Sequence, residues 1–165
     1  MAHSLEFEFL DDAAGGQFVP VGGPVIQVRG LLAKNELDAA VQLYEETRGA
    51  AREGLLVELT TCSFELKKAI AQMFRKARDF SSAAQAYEVL RFEAEAAAAW
   101  EQVNDFSKAG EAWKRAGELT KAAAAFERAG RTDDAVNLYG QAGSKESMAE
   151  SLARAGRDHA KVLCG

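Results

Sequence analysis

The sequence predicts an all-α protein, a right-handed α-solenoid of short antiparallel helical hairpins that follows a non-helical N-terminal arm. The 165-residue chain contains 33 Ala but only 10 Val and 2 Ile. Ala is the best helix former, whereas β-branched residues favour strands. A 13-residue pattern repeats without a gap from residue 65 onwards. Gly or Asn begins several of these units, which is typical of places where one helix ends and the chain reverses.

The arm comprises residues 1–23, and the solenoid comprises residues 24–165. Apolar residues alternate with glutamates from Leu5 to Phe9, which is the period of a β-strand. Residues 17–21 are placed to pair back on that strand, although an isolated hairpin is barely stable. Two interpretations stay open: an extended arm or tail, and a hairpin that caps the first helices or adds a strand to a partner.

The first part of the solenoid follows the repeat less strictly. We expect helices over 24–34, 35–47, 50–60 and 63–77, with Ser63 as the N-cap of the last. Within the second of these helices, Ala40 and Tyr44 occupy the places that Ala and an aromatic residue take in later units.

From Glu65 the chain divides into seven full 13-residue units and an incomplete eighth. Positions 6, 10 and 13 of each unit are spaced i, i+4 and i+7, so they lie on one helix face and form the predicted core. Ala is frequent at positions 6, 7 and 9, which predicts close contact between helices. Position 10 is occupied by Phe74, Tyr87, Trp100, Trp113, Phe126, Tyr139 and Leu152.

Positions 1 and 4 carry the predicted helix boundaries. Left-handed C-caps are expected at Asn104, Gly117, Gly130, Gly143 and Gly156. N-caps are expected at Ser81, Ser107, Thr120 and Asp133. Alternate units resemble one another, so the structural repeat is a 26-residue hairpin. Its A helices start at 65, 91, 117 and 143 and its B helices at 78, 104, 130 and 156, which predicts about ten or eleven helices in all.

The segment NDFSKAGEAWKRAGE, residues 104–118, resembles helix B of a tetratricopeptide repeat, with its G-D-aromatic-x-x-A-x-x-x-aromatic-x-x-A pattern. Similar short units occur in the helical solenoids of soluble NSF attachment proteins and of intraflagellar-transport proteins. The resemblance covers residues 22–165. Tetratricopeptide hairpins take about 34 residues and this chain takes 26, so the groove shape of that family does not carry over. The resemblance implies a scaffold that binds other proteins.

The sequence offers no motif for catalysis, a metal or a cofactor. His3 and His159 are far apart, Cys62 and Cys164 form no CxxC pair, and neither a nucleophile elbow nor a phosphate-binding loop occurs. Cys62 is interpreted as a buried or unreactive thiol, with a reactive thiol at a helix junction as the alternative. We therefore expect a protein that is not an enzyme and has no cofactor.

Charge and hydropathy limit the kinds of partner. The net charge of −5 disfavours nucleic acid, because phosphate binding needs a basic surface. No uncharged run is apolar enough for a membrane helix, and the N-terminus does not resemble a signal peptide. Two isolated cysteines fit a reducing compartment, so we expect a cytoplasmic protein without membrane insertion.

Positions 5, 8 and 12 of the A helices point away from the predicted core and form a candidate partner-binding face. Its centre carries small residues and its edge is basic or polar, which suits an acidic peptide or helix of a partner protein. The acidic and apolar residues 1–12 of the chain itself, within one molecule or between two, are a second candidate occupant. The alternative is a face that is only solvated. The candidate binding residues are Lys76, Gln102, Lys121, Arg128 and Arg154.

These observations predict a protein–protein interaction scaffold or adaptor. The alternative is an N-terminal regulatory or oligomerisation arm of a larger signalling protein, for example one with a nucleotide-sensing or kinase domain. The eighth unit lacks positions 11–13, so we expect that the solenoid is truncated and that the natural chain continues. A homodimer would form through the N-terminal arm or the open C-terminal helix.

Overall fold

The computed structural model describes the backbone of residues 23–163 and the side chains of residues 23–156. Every regular element in this part of the chain is an α-helix, so the all-α prediction is confirmed there. The expectations for the arm, for His3 and for Cys164 lie outside these residues, and the expectation for His159 depends on a side chain that is outside the described ones. The helices are α1 (Pro24–Ala33), α2 (Leu37–Thr61), α3 (Phe64–Lys76), α4 (Phe80–Leu90), α5 (Glu93–Gln102), α6 (Phe106–Arg115), α7 (Leu119–Arg128), α8 (Thr132–Gln141) and α9 (Lys145–Leu163).

Consecutive helices pack against each other along the whole described array. Most of them have only ten to thirteen residues, a length at which an isolated helix is marginal in water. Packing against a neighbour on either side therefore supplies most of the stability of each helix.

One backbone turn recurs between successive helices. At Gly117, where φ is 81°, the N–H of Glu118 donates to the carbonyl of Trp113 at 3.0 Å and the N–H of Gly117 donates to the carbonyl of Lys114 at 3.1 Å. This bond pair is the Schellman motif, which satisfies two orphan carbonyls at a helix end. The same pair of bonds, with a left-handed residue, occurs at Asn35, Arg78, Arg91, Asn104, Gly130 and Gly143.

The predicted C-caps at Asn104, Gly117, Gly130 and Gly143 are confirmed, while Arg78 and Arg91 adopt the left-handed conformation without a sequence signal. The prediction at Gly156 is wrong, because α9 continues through it to Leu163. Gly favours a left-handed turn but does not enforce one, since it also tolerates helical backbone at a cost of about 1 kcal/mol.

The helices begin earlier than predicted. Asp79 and Asp105 are the N-caps of α4 and α6, and each accepts a hydrogen bond at 3.2 Å from the backbone N–H three residues later. The left-handed residue needs only one further residue to redirect the chain, so the cap falls at position 2 of the unit. The expected caps Ser81, Ser107, Thr120 and Asp133 lie inside the first helical turn instead. Ser63 does cap α3 through Leu66 at 3.4 Å.

The core lies on positions 6, 7, 9 and 10 of the units. Position 6 is fully buried from Ile70 to Ala135, and position 10 is buried from Phe74 to Tyr139. The assignment of position 13 to the core is correct for Ala77 and Leu90 but wrong for the later units, where Val103 is 39% exposed. At most units this residue is the C-cap, beyond the last helical turn, where the i+7 spacing no longer applies. The alanines at positions 7 and 9 are buried, in agreement with the close helix contact predicted for them, because each helix has a neighbour on both sides.

Two predicted helix boundaries are missing, so the described chain has nine helices rather than ten or eleven. The helices expected over 35–47 and 50–60 form α2, which is kinked at Thr47 (φ −116°, ψ 15°). No left-handed residue occurs at this junction, so the chain bends without a separate turn. The helices expected from 143 and from 156 form the single helix α9, whose position-10 residue Leu152 is 50% exposed.

Candidate partner-binding surface

The candidate residues lie on α3, α5, α7 and α9, which contain the predicted A helices. Three of them, Lys76, Gln102 and Arg128, are the last residues of their helices. Lys121 lies in the first turn of α7 and Arg154 lies within α9. All five are exposed. A positive charge at a helix C-terminus is stabilised by the helix dipole, which is one structural reason for Lys76 and Arg128 to be basic.

Most of the basic candidates already have acidic partners. Lys76 pairs with Asp38 of α2, and Arg154 pairs with Glu127 of α7 at 3.5 Å. Lys121 pairs with Glu118 at 3.4 Å, three residues before it in the chain. Such exposed pairs contribute about 0–1 kcal/mol. A carboxylate of a binding partner could therefore replace the internal one at little cost.

Lys121 also covers a core aromatic residue. Its ammonium lies 4.6 Å from the centre of the Trp113 ring, while the indole Nε1 of Trp113 donates to Glu101 at 3.0 Å. Lys108 lies over Trp100 in the same way, at 4.2 Å. A cation over an indole contributes about 0.5–1 kcal/mol at an exposed site. Lys121 is therefore a packing residue as well as a candidate contact.

Arg128 differs from the other basic candidates. Its guanidinium carbon lies 3.8 Å from the centre of the Phe106 ring, and none of the described carboxylates lies within ion-pair distance of it. Stacking on a ring fixes the orientation of a guanidinium and leaves N–H donors at its edge available. The guanidinium of Arg128 is thus oriented by Phe106 and has no ion-pair partner among the described carboxylates.

Arg128 lines an open surface depression of about 480 Å³ at the turn between α5 and α6. Asp105 in this depression is paired with Lys108 at 3.0 Å. Partial burial opposes ionisation of Asp105, but hydrogen bonds from the Lys108 ammonium and backbone N–H outweigh it and lower the pKa of the carboxyl. The charge of Asp105 is therefore compensated within the chain. The lining residues are Val103, Asn104, Asp105, Phe106, Ser107, Arg128 and Ala129.

Sequence reasoning missed the side chains that connect a helix to one of the two helices before it. Arg115 of α6 donates to Glu93 of α5 at 2.7 Å and to Glu88 of α4 at 3.0 Å. Arg131, at the start of α8, donates to Glu111 of α6 at 3.1 Å. These partners are 20 to 27 residues apart, and no local pattern indicates such pairs.

Few other groups in the described chain are of a kind that could bind a metal or act as a nucleophile. No group of three or more potential metal ligands is found among the described residues. Cys62 is half-buried at the end of α2, and burial is the main reason that its thiol pKa is raised. A raised pKa keeps the thiol protonated and makes it a weaker nucleophile. None of the described helices has the length and apolar character needed to cross a bilayer.

Comparisons with protein-family models, with curated proteins and with solved structures found no match for this chain. The resemblance to tetratricopeptide repeats therefore depends on the sequence pattern alone. The helical-repeat arrangement, in contrast, is seen directly in the structure of the described residues.

Proposed function

We propose that this chain is a cytoplasmic, non-enzymatic interaction scaffold, a right-handed tetratricopeptide-like solenoid whose A helices bind an acidic peptide or helix of a partner protein. The features that recur between units are used for packing: alanines at positions 6 and 9 bring helices together, and the position-10 aromatics fill the space between them. An array built this way offers a long outer face and no deep cavity among the described residues. Such surfaces suit extended or helical segments of other proteins.

The observation that carries the proposal is the stacked and unpaired guanidinium of Arg128. Because Phe106 holds it 3.8 Å from the ring centre, the side chain loses little further rotamer freedom when a ligand binds. A partner carboxylate can accept two parallel hydrogen bonds from such a group. The neighbouring cations Lys121 and Arg154 are exposed and only weakly paired, so they add positive charge along the same path.

The test compares two charge reversals in the full chain. A partner is first recovered with the wild-type chain as bait and identified, and its Kd is then measured by isothermal titration calorimetry for each variant. Arg128→Glu should weaken binding about tenfold or more, since a hydrogen-bonded charge contributes about 1.5–3 kcal/mol. Added salt should weaken wild-type binding in the same direction.

Lys114→Glu is the matched control, because Lys114 is an exposed residue of α6 outside the candidate face. It makes the same change in net charge and should leave the Kd unchanged. Wild-type affinity in a well-folded Arg128→Glu variant would place the interface elsewhere, on the B helices or the arm. Lys121→Glu is a poorer probe, because it also removes the cation over Trp113.

A further inference from the structure

Ile26 and Val57 are the most exposed large apolar side chains of the described residues. Ile26 of α1 is 61% exposed and Val57 of α2 is 67% exposed. Single exposed apolar residues are common on protein surfaces. Ile26 and Val57 therefore indicate a binding surface only if they lie together. Contacts between the two helices answer that question.

Two contacts fix how α1 lies against the second half of α2. Gly54 approaches Val25 so closely that a Cβ on Gly54 would lie 2.4 Å from a methyl carbon of Val25. One turn further along both helices, Arg29 pairs with Glu58 at 3.4 Å. Because both pairs are 29 residues apart in the chain, α1 and the second half of α2 run in the same direction. The kink at Thr47 allows this arrangement, because the second half of α2 need not continue in the direction of the first half.

Helical geometry then places Ile26 and Val57 on the same groove. Successive residues turn by about 100° around a helix, so Ile26 lies beside Val25 on the side turned away from the buried Val28. Val57 lies beside Glu58, on the side of α2 turned away from the buried Leu55. Both side chains therefore flank the outer side of the α1/α2 contact, and their levels along the axis differ by about 3 Å.

We propose that the apolar side chains of residues 1–22 cover this outer groove between α1 and α2. The segment joins the solenoid at Gly23, three residues before Ile26, and α1 is only about 15 Å long, so any part of the groove is within reach. Its residues Leu5 to Phe9 place apolar side chains at alternate positions with glutamates between them. Arg29 at the groove edge is 53% exposed but is already paired with Glu58, so the proposal depends on the apolar side chains and on the reach of the segment.

The position of the groove in the array supports the same occupant. α1 is the first helix of the described array, so none of the described helices packs on its outer side. Terminal units of repeat proteins need a cover or a polar outer surface to stay soluble, and Ile26 and Val57 are not polar. This inference does not depend on the proposed acidic partner, because it concerns a different surface.

Paramagnetic broadening in the full chain tests the proposal directly. Cys62→Ser and Cys164→Ser remove the native thiols, and a nitroxide is attached to Glu53→Cys, an exposed site one turn before Val57. The amide signals of residues 5–10 should lose more than half of their height relative to the reduced label. Adding Val57→Asp should restore them, because a carboxylate in the groove is incompatible with apolar cover.

Four results would overturn the proposal. The signals of residues 5–10 could keep their full height, or their broadening could persist with Val57→Asp. They could instead be broadened by a nitroxide on Arg128→Cys, which would place the segment on the candidate partner-binding face. If an isotope-labelled chain without a nitroxide is broadened to the same extent when it is mixed with a nitroxide-labelled chain, the groove is covered by a second copy of the chain.

Discussion

The indole Nε1 of Trp113 donates a hydrogen bond to Oε1 of Glu101 at 3.0 Å. The same link joins Trp100 to Glu88 at 3.3 Å, and Tyr139 donates to Glu127 at 3.2 Å. In each case a glutamate at position 11 of one unit accepts from the position-10 aromatic residue of the next. Each bond satisfies the polar tip of a mostly buried ring, so it fixes the register of neighbouring helices as well as adding stability.

Removing the Trp113 ring should destabilise the array strongly. Trp113 is only 9% exposed, so Trp113→Ala should lower the free energy of unfolding by about 3–5 kcal/mol. Lys114→Ala, at the adjacent exposed position, should change it by less than about 0.5 kcal/mol. Urea unfolding followed by circular dichroism measures both. Equal midpoints for the two variants would show that position 10 is not a core position.

Two glycine-to-alanine changes inside helices should have opposite effects. A Cβ at Gly110 of α6 would lie 2.7 Å from the ring of Phe126, a rigid side chain that is only 1% exposed. Gly110→Ala should therefore destabilise by about 1–3 kcal/mol. At Gly140 of α8 the nearest atom is the sulfur of Met148 at 3.7 Å, an ordinary contact.

Gly140→Ala should accordingly stabilise the chain by up to about 1 kcal/mol, because Ala is the better helix former. Thermal and urea unfolding of the two variants should move in opposite directions from the wild type. A stabilised Gly110→Ala variant would contradict the close approach of α6 and α7.

The left-handed turn residues predict a second pair of opposite effects. Arg78 has a φ of 57°, which costs a residue with a Cβ about 1–2 kcal/mol. Arg78→Gly should relieve this strain and raise the free energy of unfolding by up to about 1 kcal/mol. Part of this gain is offset because glycine increases the conformational entropy of the unfolded chain. Gly117→Ala introduces the same strain at a φ of 81° and should cost about 1 kcal/mol.

A steric clash does not contribute to the effect of Gly117→Ala, since no atom of the surroundings lies within 4 Å of an added Cβ. The comparison therefore isolates backbone conformation. Equal stability of Gly117→Ala and the wild type by urea unfolding would mean that the turn adopts another conformation.

Stability should fall in acid through Asp79. Its carboxylate accepts from the Tyr44 hydroxyl at 2.5 Å and from the backbone N–H of Ser82 at 3.2 Å. Burial opposes ionisation, but these bonds and the nearby Arg52 outweigh it and hold the pKa of Asp79 below its ordinary value. The folded chain thus favours the ionised form, and Asp79 contributes stability above the unfolded pKa of about 3.9.

This contribution is lost as the pH falls through the lower pKa of the folded state. The free energy of unfolding, measured from about pH 6 to about pH 3, should therefore fall more steeply for the wild type than for Asp79→Asn. Parallel pH profiles would show that Asp79 has the same pKa in both states. Tyr44→Phe should reduce the difference, because it removes one of the bonds to the carboxylate.

The sequence was sufficient for the features that depend on local spacing. The 13-residue period predicted the helical array, and Gly117, Gly130 and Gly143 marked left-handed turns because glycine has no Cβ to resist them. The aromatic residues at position 10 were assigned correctly to the core from Phe74 to Tyr139. These features follow from steric preferences and from the 3.6-residue turn of the helix, which a sequence shows directly.

Only the tertiary structure decided which side chains meet across helices. The kink at Thr47 and the exposure of Leu152 depend on the angle and spacing at which neighbouring helices stack. The same holds for the candidate face: from the sequence Lys121 and Arg128 are equivalent basic residues, yet one covers Trp113 and the other stacks on Phe106 without a described carboxylate partner. A contact between residues far apart in the chain depends on a packing geometry that helix periodicity does not contain.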